Sequence, residues 1–240
     1  FAEFNGPVSL TELSRAADMP ASKAHRYLAS FIHAGFVSQT GKSGRYELGH
    51  VTAELGLSAA SCRDLVNKAA DELGDLSART GLTAILSVWG NQGTTVIRWH
   101  RAPSPLVTSF GLGSTLPLLT SASGRVTLAY LPRALTAAKL AFEIERVQET
   151  KLSLSDMDLT PRGIENLVHQ IREDGVASVD GRFIPGLNAL AAPILNWQDE
   201  LEASVTLIST SERILEKDSP ARADIKAYAR QFSLTRKKES

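Results

Sequence analysis

Ser9-Leu-Thr-Glu-Leu-Ser-Arg-Ala-Ala-Asp-Met-Pro20, followed by Ala21-Ser-Lys-Ala-His-Arg-Tyr-Leu-Ala-Ser-Phe-Ile-His-Ala-Gly35, is the stretch on which the reading of this chain turns. Its first four residues have the form of a capping box, in which the Ser9 hydroxyl takes a backbone N–H and Glu12 reaches back. Leu10, Leu13 and Ala17 then fall on one face of a short helix. Met19-Pro20 breaks that helix. The residue before a proline is pushed out of the α region, whereas proline itself suits the first turn of a new helix. In the second helix Ala24, Tyr27, Leu28, Phe31 and Ile32 recur at helical spacing, a stripe expected to face a core. The opposite face carries Ser22, Lys23, His25, Arg26, Ala29 and Ser30, all short or cationic, and Gly35 is a natural stop.

Two brief strands are expected next, Phe36–Gln39 and Arg45–Leu48, turning through Thr40-Gly-Lys-Ser-Gly44. Two short helices and a two-stranded wing outline a winged helix-turn-helix, whose recognition helix packs one face inward and offers a slim, non-acidic face to the major groove. Charge placement agrees. No acidic residue occurs from Met19 to Tyr46, where the chain's average density would place about three. The candidate DNA-binding residues are therefore Ala21 (thymine methyl), Ser22 and His25 (phosphate or base edges), Lys23 and Arg26 (phosphate or guanine), and Lys42 and Arg45 (flanking backbone or minor groove). The partner so implied is double-stranded operator DNA.

Outward from this core the texture changes. A helical stretch from His50 to Ser61 reads as a connector, and a second helix from Arg63 to Thr80 places Leu65, Ala69, Leu73 and Leu76 on one face. Strands are expected over Thr83–Trp89 and Thr94–Arg101, joined by Gly90-Asn-Gln-Gly93, a hairpin signal. A Gly/Ser-rich loop, Gly111 to Ser123, leads into a helix from about Gly124 to Leu131, and another helix opens at Thr160-Pro161. Strands near Val176–Asp180, Leu187–Ile194 and Ser204–Ser209 precede a last helix, Pro220 to Phe232. The expected class is α+β with a largely antiparallel sheet. The expected domains are 1–49 (winged helix-turn-helix), 50–62 (connector helix) and 63–240 (the α+β domain).

Composition bounds the rest. The 240 residues are 43% hydrophobic and 22% charged, enough to build a core. Lys plus Arg equals Asp plus Glu at 26 each, which excludes a uniformly basic nucleic-acid coat but not a local patch. A single cysteine, Cys62, excludes an intrachain disulfide framework and a zinc ribbon and fits a reducing, cytoplasmic setting. No apolar run approaches the roughly 20 residues of a membrane span. The chain opens at Phe1, without a methionine, in what reads as the end of a helix, so it is expected to start inside a longer protein. The tail Arg236-Lys237-Lys238 is expected to be solvated.

Enzyme readings fail on their motifs. Gly41-Lys42-Ser43 resembles the end of a phosphate loop, but the required earlier glycine is Phe36. Gly111-Leu-Gly113 lacks the third glycine of a dinucleotide turn. No Gly-x-Ser-x-Gly elbow, His-Glu-x-x-His or oriented Cys–His pair occurs. The three histidines His25, His33 and His50 lack the spacing of a metal site. No catalytic residue, metal or cofactor is expected. Thr120-Ser-Ala-Ser-Gly124 differs: it sits where a helix begins, and free amides and hydroxyls there suit an anion such as an effector carboxylate.

Several stretches together resemble the IclR family of bacterial transcription regulators. These are Ser9-Leu-Thr-Glu-Leu, Met19 to Leu28, Gly35-Phe-Val, Arg45-Tyr-Glu-Leu-Gly, Leu112 to Pro132, Ile171-Arg-Glu-Asp-Gly-Val, and Pro185 to Ile194. The resemblance implies a GAF-like effector domain, self-association into dimers or dimers of dimers, and operator binding controlled by a small organic acid or aromatic metabolite. It places the backbone amides of Ala122 and Ser123 on the effector carboxylate, and Asp180, Ala189 and Thr206 around it. A metabolite sensor or small-molecule enzyme whose N-terminal helices only contact protein is the alternative. Trp89, Trp99 and His100 lie on strands that could wall a pocket, although such residues more often pack on sheet faces.

Overall fold

The computed structural model describes residues 1, 4, 6–40, 44–61, 64–102, 109–150, 156–181 and 184–234. Expectations for Lys42, Cys62, the Arg63 helix start and the basic tail lie outside them. The chain divides into two compact units, Phe1–Asp64 and Leu65–Ser240.

The first unit opens with α1 (Leu10–Ala16), whose capping box is complete: the Glu12 amide donates to Ser9 Oγ at 3.3 Å and the Ser9 amide to Glu12 Oε2 at 2.8 Å. After a turn through Asp18, α2 (Ala21–His33) begins behind Pro20. Strands β1 (Val37–Thr40) and β2 (Arg45–Leu48) pair antiparallel, and Val8 adds a bridge to Tyr46. Val8, Leu13, Leu28, Val37 and Tyr46 form the small core. Gly35 takes a left-handed φ of +74° to turn α2 into β1, and Gly49 lies so close that a Cβ there would come 2.1 Å from the Gly35 carbonyl oxygen. This close approach seats α3 (His50–Ser61), which begins immediately after Gly49.

The apolar stripe of α2 is only partly covered. Ala24 and Leu28 are buried, but Tyr27, Phe31 and Ile32 are 50%, 47% and 37% exposed. The exposure runs along one side of the stripe: Tyr27 and Phe31 border an apolar groove with Leu13, Ala17 and Met19 that nothing among the described residues fills.

The second unit is α+β. The expected single helix over 63–80 is divided at Glu72 into α4 (Leu65–Asp71) and α5 (Leu73–Thr80), while the shared apolar face survives in Ala69, Leu73 and Leu76. Strands β3 (Thr83–Gly90), β4 (Gly93–His100), β5 (Thr115–Leu116), β6 (Ala177–Asp180), β7 (Asn188–Leu195) and β8 (Leu201–Ser209) form one sheet in the order β5-β4-β3-β8-β7-β6, with every neighbouring pair antiparallel. Helices α6 (Ala122–Tyr130), α7 (Arg133–Glu149), α8 (Pro161–Asp174) and α9 (Pro220–Phe232) complete the unit.

Period-two alternation sorts the strands onto two faces. Leu86, Leu190, Val205 and Leu207 point into a large core with α4, α5 and α9. Ile85, Ala189, Thr206 and Ile208 point the other way, toward α6 and the loops before it. A one-residue bulge in β4 opposite Leu86/Ser87 keeps Val96 and Trp99 on that second face while Ile97 packs in the first core. His100 stands on the first face, its ring against Gly74 of α5.

Candidate functional site

Two surfaces carry chemistry, one in each unit. On α2, Ala21, Ser22, Lys23, His25 and Arg26 are all exposed. Burial of Ala24 and Leu28 fixes the helix's rotation and so turns the cationic face outward. No acidic residue stands in its first turn, and Pro20 provides no side-chain cap. Its leading amides are therefore open at the positive end of the helix, which suits phosphate. Among the described residues no carboxylate pairs with Lys23 or Arg26. Arg45 differs, because its guanidinium donates to the Pro7 carbonyl at 3.0 Å and lies 4.0 Å from Glu12. It ties the wing to the segment before α1, although half of its side chain remains exposed.

In the second unit a small cavity, with about 30 Å³ of space open to a water-sized sphere, lies between the sheet and the start of α6. Its walls are apolar: Ile85, Phe110, Leu116, Val179, Leu187 and Ile208. Its polar pole is the first turn of α6. There the Ser121 hydroxyl caps the helix, accepting the Gly124 amide at 3.0 Å and donating to the Pro117 carbonyl at 2.6 Å. The next amide, from Arg125, returns to the Ser121 carbonyl at 3.0 Å. That leaves the amides of Ala122 and Ser123 with no acceptor among the described residues.

Of the five residues expected around an effector, Ala122, Ser123, Ala189 and Thr206 line this cavity together. Ser123 Oγ and Thr206 Oγ1 share a hydrogen bond of 2.7 Å between α6 and β8. Asp180 is not part of the lining; it is exposed at the end of edge strand β6, and its neighbour Val179 faces the cavity instead. Trp99 packs beside the cavity wall, its ring centroid 4.9 Å from that of Phe110, and its buried indole N–H has no acceptor among the described residues.

Two charged groups behind the cavity escaped the sequence reading. Arg125 on α6 is 2% exposed and fully engaged. Nε donates to the Leu119 carbonyl at 2.8 Å, while Nη1 donates to Asp156 at 2.6 Å and to the Ser178 carbonyl at 3.0 Å. Glu143 lies on α7, a helix not expected from the sequence, and its two oxygens accept the amides of Leu118 at 2.9 Å and Leu119 at 3.0 Å. Burial raises the pKa of its carboxyl, and those two amides, Lys139 and Arg146 only partly oppose the shift. A usable signal existed, since Thr136, Leu140, Ile144 and Val147 recur at helical spacing with neither Gly nor Pro between Arg133 and Glu149.

Residues 57–234 match the family described as the C-terminal domain of the bacterial transcriptional regulator IclR, and residues 1–41 match the IclR helix-turn-helix domain. This chain belongs to the IclR family. Among IclR relatives, the transcriptional repressor IclR of Escherichia coli K12 is 28% identical over 215 residues, covering 89% of this chain and 77% of the relative. The HTH-type transcriptional regulator XynR of the same organism is 25% identical over 214 residues, covering 89% and 83%. Among solved structures, Pseudomonas aeruginosa HmgR superposes with a TM-score of 0.80 at 31% identity, covering 97% of this chain and 91% of that one. The IclR family is one of transcriptional regulators, not of enzymes. Among the described residues no helix is long and apolar enough to cross a membrane.

Proposed function

We propose that this chain is a DNA-binding regulator whose α2 docks in the major groove and whose second unit binds a small organic acid with an apolar body. One observation carries the first half. Lys23 and Arg26 stand exposed, with no carboxylate partner among the described residues, on the same helix whose Ala24 and Leu28 anchor the core. Phosphate neutralisation by such cations gives binding that weakens as salt rises. Operator DNA offers two half-sites to a two-fold assembly, so self-association would pair two α2 helices on it.

The cavity supports the second half. Its lining offers two unused amides, a hydroxyl pair and apolar walls, with no cationic side chain among the lining residues. That set fits one carboxylate on a hydrocarbon or aromatic body better than a sugar acid or a dicarboxylate. For such an acid to control the operator complex, it must bind the DNA-competent and DNA-free states with different affinity.

Fluorescence anisotropy on the promoter DNA beside the gene, read with and without aromatic and aliphatic monocarboxylates, tests both halves. Ser123→Leu fills the polar pole of the cavity and removes the bond to Thr206. It is expected to abolish the response to acids while leaving DNA affinity within about threefold, a shift near the scatter of a surface substitution. An unchanged acid titration in Ser123→Leu would remove the cavity from the account. An N-terminal unit that only contacts protein would give no salt-sensitive anisotropy change at all.

A further inference from the structure

We infer that Glu143 is a positioning residue of the effector site: from α7, its carboxylate holds the 117–121 segment so that the Ala122 and Ser123 amides stay aimed into the cavity. The inference rests on the effector reading above and deepens it, because it assigns a residue that never touches the acid.

The 117–121 segment has no regular structure of its own and is gripped from several sides. Ser121 Oγ closes it on the Pro117 carbonyl. Gly124 presses against it so tightly that an added Cβ would come 2.0 Å from the Pro117 oxygen. The Leu119 carbonyl is held by the Arg125 guanidinium of α6, and the Leu118 and Leu119 amides by the two oxygens of Glu143. Leu119 therefore sits between a buried cation on one helix and a half-buried carboxylate on another. Three of these grips arise within the segment or α6 themselves. Glu143 provides the only one of the four that comes from α7.

The choice of residue is informative. A cleft lined by Pro117, Thr120, Lys139, Glu143 and Arg146 runs along this side of the segment. Water in that cleft could solvate both amides without requiring a charge to be desolvated. A carboxylate is used instead, although burial opposes its ionisation. It alone offers two acceptor oxygens at the spacing of two adjacent N–H groups; a glutamine amide offers one acceptor and two donors. Lys139 and Arg146, four residues before and three after, stand on the same side of α7 and partly offset the charge. Lys139 Nζ also donates to the Gln92 carbonyl in the β3–β4 turn at 2.9 Å, so α7 is pinned to the sheet next to Glu143. Through this pair, a rotation or slide of α7 would be felt first at the segment that aims the two effector amides.

Hydrogen-exchange mass spectrometry on the full chain reads the two amides directly. In Glu143→Gln and Glu143→Leu, exchange in a peptide spanning 115–125 should run at least about tenfold faster than in wild type. Peptides from β3, β7 and β8 should exchange as in wild type, and the exposed neighbour variant Glu145→Gln should change nothing. Benzoate and octanoate serve as aromatic and aliphatic probes. One or both should slow exchange at Ala122 and Ser123 in wild type, and the concentration required should rise at least about tenfold in Glu143→Gln. Unchanged exchange in 115–125 would overturn the assignment of Glu143 whatever the acid. Equal loss of protection in every peptide would also overturn it, because Glu143 would then act on general stability. Faster exchange in 115–125 together with no response of wild type to either probe would overturn the effector role and leave Glu143 as a loop anchor alone.

Discussion

Helices α2 and α6 both begin without an acidic residue in the first turn, yet they are built in opposite ways. In α2 the N-terminal end is uncapped and exposed, and its functional groups are side chains standing in solvent. In α6 every residue from Ala122 to Ala129 is buried, the first turn is capped by Ser121, and the groups on offer are backbone amides. A polyanion can be met by a rotatable cationic surface because its charge is long-ranged and repeated. A small acid must be met by fixed donors in a water-poor cavity, and these demand support from elsewhere in the fold. One surface is written locally in the sequence, whereas the other is assembled from α6, the loop before it, α7 and five strands.

The largest expected effect tests that support. Arg125→Leu removes a buried guanidinium from the Leu119 and Ser178 carbonyls and from Asp156, which retains one-third exposure. The loss should be about 3 kcal/mol, at the lower end for a broken buried pair because Asp156 can reach water. Thermal or urea unfolding of the full chain would show it as destabilisation of the second unit, with DNA affinity per folded molecule unchanged. A loss under about 1 kcal/mol would mean that the cavity's frame does not depend on this side chain.

Next in size is the DNA surface. Arg26→Ala should weaken operator binding by about 1–3 kcal/mol, measured by anisotropy at fixed salt. Arg45→Ala should weaken it less, within about 1 kcal/mol, since its guanidinium is already engaged with Pro7 and Glu12. A larger effect from Arg45 than from Arg26 would shift the interface from α2 to the wing. Ser9→Ala, which removes one half of the capping box, should cost about 1 kcal/mol in the first unit and leave the acid response untouched.

The smallest effect is electrostatic and belongs to α7. Burial raises the Glu143 pKa above its ordinary 4.5, so the folded chain holds this proton more tightly than the unfolded chain does. The stability this gives is complete below pH 4.5 and is lost as pH rises through the raised value. Wild type should therefore gain melting temperature relative to Glu143→Gln as pH falls through that window. A difference that stays flat with pH would show that Glu143 titrates normally.

The sequence made the local half of this molecule legible. The capping box at Ser9 and Glu12, the proline break before α2 and the acid-free run after Asp18 each act over a few residues. The positions of β3, β4, β6, β7 and β8 could be read for the same reason, since alternation and turn residues are local signals, whereas the two-residue β5 lies within the stretch expected as a Gly/Ser-rich loop. Three features could not be read that way. The exposure of Tyr27, Phe31 and Ile32 depends on what packs against that side of α2, which periodicity in α2 does not encode. The outward turn of Asp180 depends on the register of β6 against β7, in which Val179 pairs with Ala189 and takes the inward place. The partnership of Glu143 with Leu118 and Leu119 spans 24 and 25 residues and two different elements, and no short motif announces it.

The central claim is that the exposed cations of α2 lie against DNA. Operator affinity measured across a salt series for wild type, Lys23→Ala and Arg26→Ala tests it most directly. The account predicts that affinity falls steeply with salt in wild type, and that each variant flattens the slope of log K against log salt by about 1. Wild-type slopes in both variants would contradict it, because neither cation would then be displacing counterions from the duplex.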